Sequence, residues 1–259
     1  MKYRITSETK VVNNITLHRI ECVTAFDDIE CGAKGGWIES EKNLSQSGNA
    51  WVCGNATVCG DATVRENAWV GRNARISGNA TVGGNAMVFG NAVVSGNATV
   101  FGNAMVGGNA MVNDNAVVRD NAVVSGYATV GENAWVGGKA MVGGNARVSG
   151  KAVVRDNAWV GGKAMVGGDV RVIGNATVSG NADFIIFKNW WSSGRYFTWT
   201  RSNNKWKVGC FYGSGEELIK KAYKDSEKSG REYERVVKYV NDILKEEDND
   251  NGNRNKREG

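Results

Sequence analysis

Hydrophobic positions in the central half of the chain follow one unvarying pattern. Aligned on Asn-Ala, the six-residue unit visible in "GGNAMVFGNAVVSGNATVFGNAMV" (residues 83–106) runs without insertion from Asn49 to Ile186. Its second position is Ala except at Val170, and its fourth is Val except at Ile76 and Phe184. Side chains alternate across a strand, so Ala-x-Val sends Ala and Val to one side and the intervening residue to the other. The Gly and Asn that close and open each unit tolerate positive φ, as a corner between short strands requires. Three such strands and three corners form a triangular coil of roughly 18 residues, whose stacking buries the Ala and Val columns in a narrow core. The repeat predicts roughly seven to eight coils, a prism of about 37 Å at a spacing of about 4.8 Å per coil.

The flanks break the pattern. "KYRITSETKVVNNITLHRIECV" predicts two strands around a turn at Asn13-Asn14. "GAKGGWIESEKNLSQSG" leads into the first coil, with Ile38 and Leu44 read into the Ala column. Residues 1–48 are therefore expected to form an N-terminal β cap that covers open ladder edges. After Ala182 the chain turns aromatic and strand-like, with a hairpin turn expected at Ser202-Asn203-Asn204. Ser214 and Glu217 fit a capping box opening a helix to about Ser226, with Leu218, Ile219, Ala222 and Tyr223 on one face. Tyr233, Val236, Val237, Val240, Ile243 and Leu244 form the stripe of a second helix. The expected organisation is a cap (1–48), a repeat domain (49–186), an aromatic-rich α+β domain (187–247) and a disordered tail (248–259).

An aliphatic residue followed four positions later by a small one, as in Val88 to Ala92 and Val142 to Ala146, resembles the left-handed β-helix hexapeptide-repeat family. That resemblance implies the handedness: a mainly β, left-handed parallel β-helix with a small α+β C-terminal domain. "CGAKGGWIESEKNLS" and "FKNWWSSGRYFTWT…WKVGCF…GEELI" together resemble hexapeptide-repeat proteins of phages and prophages of low-GC Gram-positive bacteria. The second resemblance implies a phage or prophage source and no particular catalysis.

Composition supports an ordered chain. Its 35 glycines recur at a fixed interval, and the absence of Pro suits a fold whose backbone N–H groups are needed in ladders. A net charge of +5 implies no general grip on polyanions. Five cysteines, odd in number and without a C-x-x-C pair, suggest neither a zinc site nor a disulfide framework. Neither a signal sequence nor a membrane span is visible, so the expected location is the cytoplasm, that of the host if the chain is phage-encoded.

Hexapeptide-repeat acyltransferases use a histidine base and usually a loop extruded from the prism. Here the single histidine, His18, precedes an uninterrupted repeat. The carbonic anhydrases of that fold need three histidines around a metal. The expectation is accordingly no catalytic residue, no metal and no cofactor.

Two features remain. Sorted with the coil period, one face carries Trp51, Trp69, Met87, Met105, Val123, Met141 and Trp159, with Phe89 beside Met87, an apolar strip that suggests an interface. Between Phe184 and Gly215, Lys188, Trp190, Trp191, Arg195, Trp199, Arg201, Lys205, Trp206 and Lys207 interleave cations with aromatic rings and contain no acid. That composition suits phosphate and base binding, although an aromatic core ringed by solvated lysines explains it more simply. The sequence thus reads as a non-catalytic phage or prophage scaffold or binding protein, a dimer or trimer through the apolar face. It would engage a host or viral protein, as a counter-defence inhibitor does. The alternatives are an acyltransferase and a nucleotide or single-stranded nucleic-acid binding module in the C-terminal domain.

Overall fold

The computed structural model describes the backbone of residues 1–255 and the side chains of residues 1–247. The chain divides into two compact units between Asp183 and Phe184.

The first unit is a parallel β-solenoid. Each hexad contributes a two-residue strand, and strands one coil apart pair in register, Trp69 with Met87 and Met87 with Met105. Eight strands from Trp51–Val52 to Thr177–Val178 stack into one sheet, marking about eight turns. The other two faces are sheets of seven and ten strands, the latter extended by the N-terminal hairpin. The Ala and Val columns are almost completely excluded from solvent from Ala50 to Val178. The interior takes only aliphatic side chains no larger than Ile76 and Val170 at their positions, which explains why the frame never slips.

Corners hold the coils together from outside. Asn67 bonds to Asn85, Asn85 to Asn103 and Asn103 to Asn121, at 3.0, 3.0 and 3.1 Å. Where an acid replaces glycine at the positive-φ position, its carboxylate accepts the next coil's amide, as Asp120 does from Gly138 at 3.0 Å and Glu132 from Gly150 at 2.9 Å. That bond offsets the left-handed backbone strain of a non-glycine residue.

The N-terminal strands β1 (Tyr3–Val12) and β2 (Ile15–Cys22) form the predicted hairpin, with Asn13 and Asn14 both at positive φ as a type I′ turn demands. Strand β3 (Lys34–Ile38) joins β2 to the solenoid. Ile38 pairs with Val58 and Leu44 with Val64, so both continue the Val column and not the Ala column expected from the sequence. The corner between Leu44 and Ala50 is two residues longer than the repeat allows, and its Gln46 side chain bonds to the backbone of Lys2 and Tyr3. Side chains close both open ends. Lys2, 7% exposed, donates its ammonium to Ala50 O at 2.8 Å and Gly48 O at 3.2 Å, and Asn43 donates to Gly60 O and Ala62 O. At the other end, Asn181 accepts from the Met165 amide and Asp183 from those of Ser179 and Gly180.

The repeat frame continues formally to Ile186, but the stack ends at Val178, and β4 (Phe184–Lys188) pairs with β5 (Tyr196–Thr200) in another sheet. Strands β6 (Lys205–Val208) and β7 (Phe211–Gly213) complete this antiparallel meander. Helix α1 (Gly215–Asp225) opens on the predicted capping box of Ser214 and Glu217. Helix α2 runs Glu227–Asn255, so the tail expected beyond Glu247 is helical to Asn255, with residues 256–259 outside the described residues. Phe197, Trp199, Trp206, Val208, Leu218, Val237 and Val240 form the unit's core. Gly230 admits the ring of Tyr223, where any Cβ would collide with it.

Candidate functional site

His18 lies on β2, paired with Thr9 on one side and Ile38 on the other, and is half-buried. Antiparallel partners share a face, so its imidazole is on the side that Ile38 presents to the solenoid interior. Leu17, one residue earlier, is on the opposite side and borders a cavity of about 90 Å³ with Thr57, Cys59, Arg75 and Ser77.

All seven strand residues of the expected apolar strip occupy the eight-stranded sheet, with Phe89 flanking it. Trp51 is covered by Phe26, whose ring meets it edge-on at 5.5 Å. Met87 and Met141 remain 40% and 49% exposed, while Trp69, Phe89, Met105, Val123 and Trp159 are half-buried. The rings lie flat because glycine leaves room: a Cβ at Gly71 would stand 3.0 Å from Trp69 Nε1, and one at Gly107 would stand 2.6 Å from the Phe89 ring.

The basic and aromatic residues of the C-terminal unit separate. Trp199 and Trp206 lie in its interior, Trp191 packs against that core, and Trp190 is exposed. Lys207 is buried, Arg201 is paired with Glu247 at 2.6 Å, and Lys188 lies over Tyr196 at 5.7 Å. Lys205 is half-buried on β6. Arg195 lines a cavity of about 70 Å³ with Cys210, Phe211, Lys221 and Tyr233, of which only Arg195 belongs to the sequence-predicted set. Lys221 and Tyr233 sit on helix faces that the apolar stripe alone did not mark as functional.

All five cysteines are free, and burial pushes the thiols of Cys22, Cys53 and Cys59 up from their ordinary range, away from reactive thiolate. Among the described residues no group of three or more His, Cys, Asp or Glu could hold a metal ion. Nor is any helix among them long and apolar enough to cross a membrane.

Comparison with known proteins bears on the solenoid. A family model described as YdcK beta solenoid repeat matches residues 82–96 and 92–108. Over 59 residues the chain is 34% identical to the "Uncharacterized acetyltransferase YdcK" of Escherichia coli (strain K12), a stretch that spans 20% of this chain and 18% of that protein. The chain is thus a β-solenoid repeat protein, and two expectations are corrected. The non-catalytic phage scaffold or counter-defence protein gives way, because neither match points to a phage and one is to a protein described as an acetyltransferase. The expectation of no enzymatic activity, based on the lone histidine and the uninterrupted repeat, gives way to the same match.

Proposed function

We propose that this β-solenoid protein is an acyltransferase that moves an acyl group from a thioester to a hydroxyl or amine acceptor. The observation that carries the reading is the similarity of its repeat to a protein described as an acetyltransferase. Such a transfer needs a base to take the acceptor's proton as its nucleophile attacks the thioester carbonyl and the thiol leaves. His18 is the single imidazole of the chain and takes that role in this reading, half-buried where the hairpin joins the first coil. The test is titration calorimetry with acetyl-coenzyme A together with thiol release in the presence of amine and sugar acceptors. Binding with acceptor-dependent release is expected, and absence of both would end the reading. His18→Ala should lower turnover by at least about 10²-fold with donor affinity retained.

The apolar sheet supports a second proposal, that the chain works as a homo-oligomer. Met87 and Met141 stand exposed in a column whose neighbours are Trp69, Met105 and Trp159, and a second copy offers the same column in return.

A further inference from the structure

We propose that the cavity between the β6–β7 turn and helix α1 of the C-terminal unit binds a small zwitterionic α-amino acid, of the size of glycine or alanine. This inference does not depend on the acyl-transfer reading.

The cavity measures about 70 Å³, and three charged side chains, Arg195, Lys221 and Asp225, line it together. Arg195 directly precedes β5, Lys221 stands on α1 and Asp225 is the last residue of that helix. The position of Arg195 is built into the fold. Its carbonyl accepts the Asn189 amide at 2.8 Å, which closes the loop before β5, and its guanidinium lies against the turn at Gly209. A Cβ at Gly209 would stand 3.3 Å from Arg195 Nη1, and the φ of +54° there favours glycine as well. Lys221 Nζ lies 5.9 Å from the centre of the Phe211 ring, which also borders the cavity.

Lys221 and Asp225 are one helical turn apart, where pairing is open to them. Yet among the described residues the ion pairs of this unit are Arg201 with Glu247, Arg231 with Glu227 and Arg235 with Glu232. Two cations and an acid therefore border one small space without neutralising one another. Beneath them the lining is apolar: Val208 and Leu218 belong to the core of the unit, and Ala222 is equally buried. Charges standing in bulk water need no ligand. Here they rim a pit floored by core residues, against which water finds no hydrogen-bond partner, and a few polar groups converging over an apolar floor is the arrangement of a small-ligand site.

The charges select the ligand. A carboxylate between Arg195 and Lys221 has two charge-assisted donors, and the half-buried Tyr233 on α2 adds its phenol. An ammonium has Asp225, with the Phe211 ring as a second attraction. A plain carboxylate leaves Asp225 facing it, and a plain amine meets two cations. A molecule that carries both charges close together satisfies all three side chains, and one acid among two cations tells against a polyanion. Volume sets the size. At about 10–15 Å³ per water, the cavity admits about five to seven groups of that size, which suits glycine or alanine and not an amino acid with a large ring.

Cys210 lines the cavity and is exposed, while Cys31, exposed in the other unit, is an internal reference. Alkylation by iodoacetamide, followed on the two peptides by mass spectrometry, should be slowed saturably at Cys210 by L-alanine and left unchanged at Cys31. Sodium acetate and ethylammonium chloride each carry one of the two charges and should need about tenfold more for the same protection. L-Tryptophan is too large and should not protect. Arg195→Gln and Asp225→Asn replace exposed side chains, so both should fold normally by circular dichroism and raise the half-protecting concentration of alanine about tenfold. Asp225→Asn should also bring acetate level with alanine. The proposal is overturned by an absence of saturable protection, by acetate or tryptophan protecting the wild type as well as alanine does, or by unchanged protection in both variants.

Discussion

Tryptophan occupies opposite places in the two units. In the solenoid, Trp69, Trp135 and Trp159 stand outside the prism while Ala and Val fill it. In the C-terminal unit, Trp199 and Trp206 are almost completely buried and form the core with Phe197. The difference follows from geometry. A coil of short strands leaves an interior one methyl or isopropyl group wide, whereas a meander covered by two helices leaves room for rings. An aromatic in the repeat is therefore surface to be explained, and an aromatic after Phe184 is first of all packing.

Reversing that arrangement at single positions breaks the comparison most sharply. Val106→Asp places a carboxylate without a partner in the solenoid interior and should leave no soluble folded protein, while Thr99→Asp on the outward side should stay within about 0.5 kcal/mol of wild type. Equal solubility and melting of the two would refute the division into inward and outward positions. Trp206→Ala should cost the C-terminal unit about 3–5 kcal/mol. Calorimetry should show its transition lowered and that of the solenoid unmoved, and a joint shift would show the two units unfolding as one. Glu at both Trp69 and Met105 should turn an oligomer into a folded monomer by light scattering, with circular dichroism unchanged. A wild type that is already monomeric at tens of micromolar would remove self-association.

The smallest effect concerns pH. Burial pushes the Lys2 ammonium down to about 8 from 10.5. Its folded value lies below its unfolded one, so the unfolded chain holds the extra proton between the two. Stability should therefore rise as the pH is raised through that window, with the full cost of the charged form present below about 8. Urea midpoints measured across the window should show the rise, and Lys2→Met should flatten it while destabilising the first coil through the carbonyls of Ala50 and Gly48.

The sequence carried the solenoid because its restraint is local and repeated: one Ala and one Val per hexad, in every coil. It did not carry the ends. The longer corner at Gln46 moved Ile38 and Leu44 into the other column, since a two-residue insertion leaves alternation intact while changing which neighbour each residue meets. Phe184 keeps the repeat frame yet pairs with Thr200, because a bulky ring at a Val position cannot enter the prism. Lys2 gave no sign of being buried, as its acceptors lie more than forty residues away. Lys10 and Arg19 meet over the ring of Trp37 only once the hairpin joins the sheet, and no spacing in the chain foretells that meeting.

Pairing at an interval of 18 residues also gives the rod a phase. Removing one whole coil, for instance residues 85–102, shortens the solenoid by a single strand spacing and returns every later residue to the face it left. Removing only one hexad preserves all the interior contacts but turns everything downstream by a third of a revolution. Val123, Met141 and Trp159 would then continue beneath a column that begins with Thr63 and Thr81. Length and direction are therefore separately encoded, the first by the number of coils and the second by the number of hexads left over.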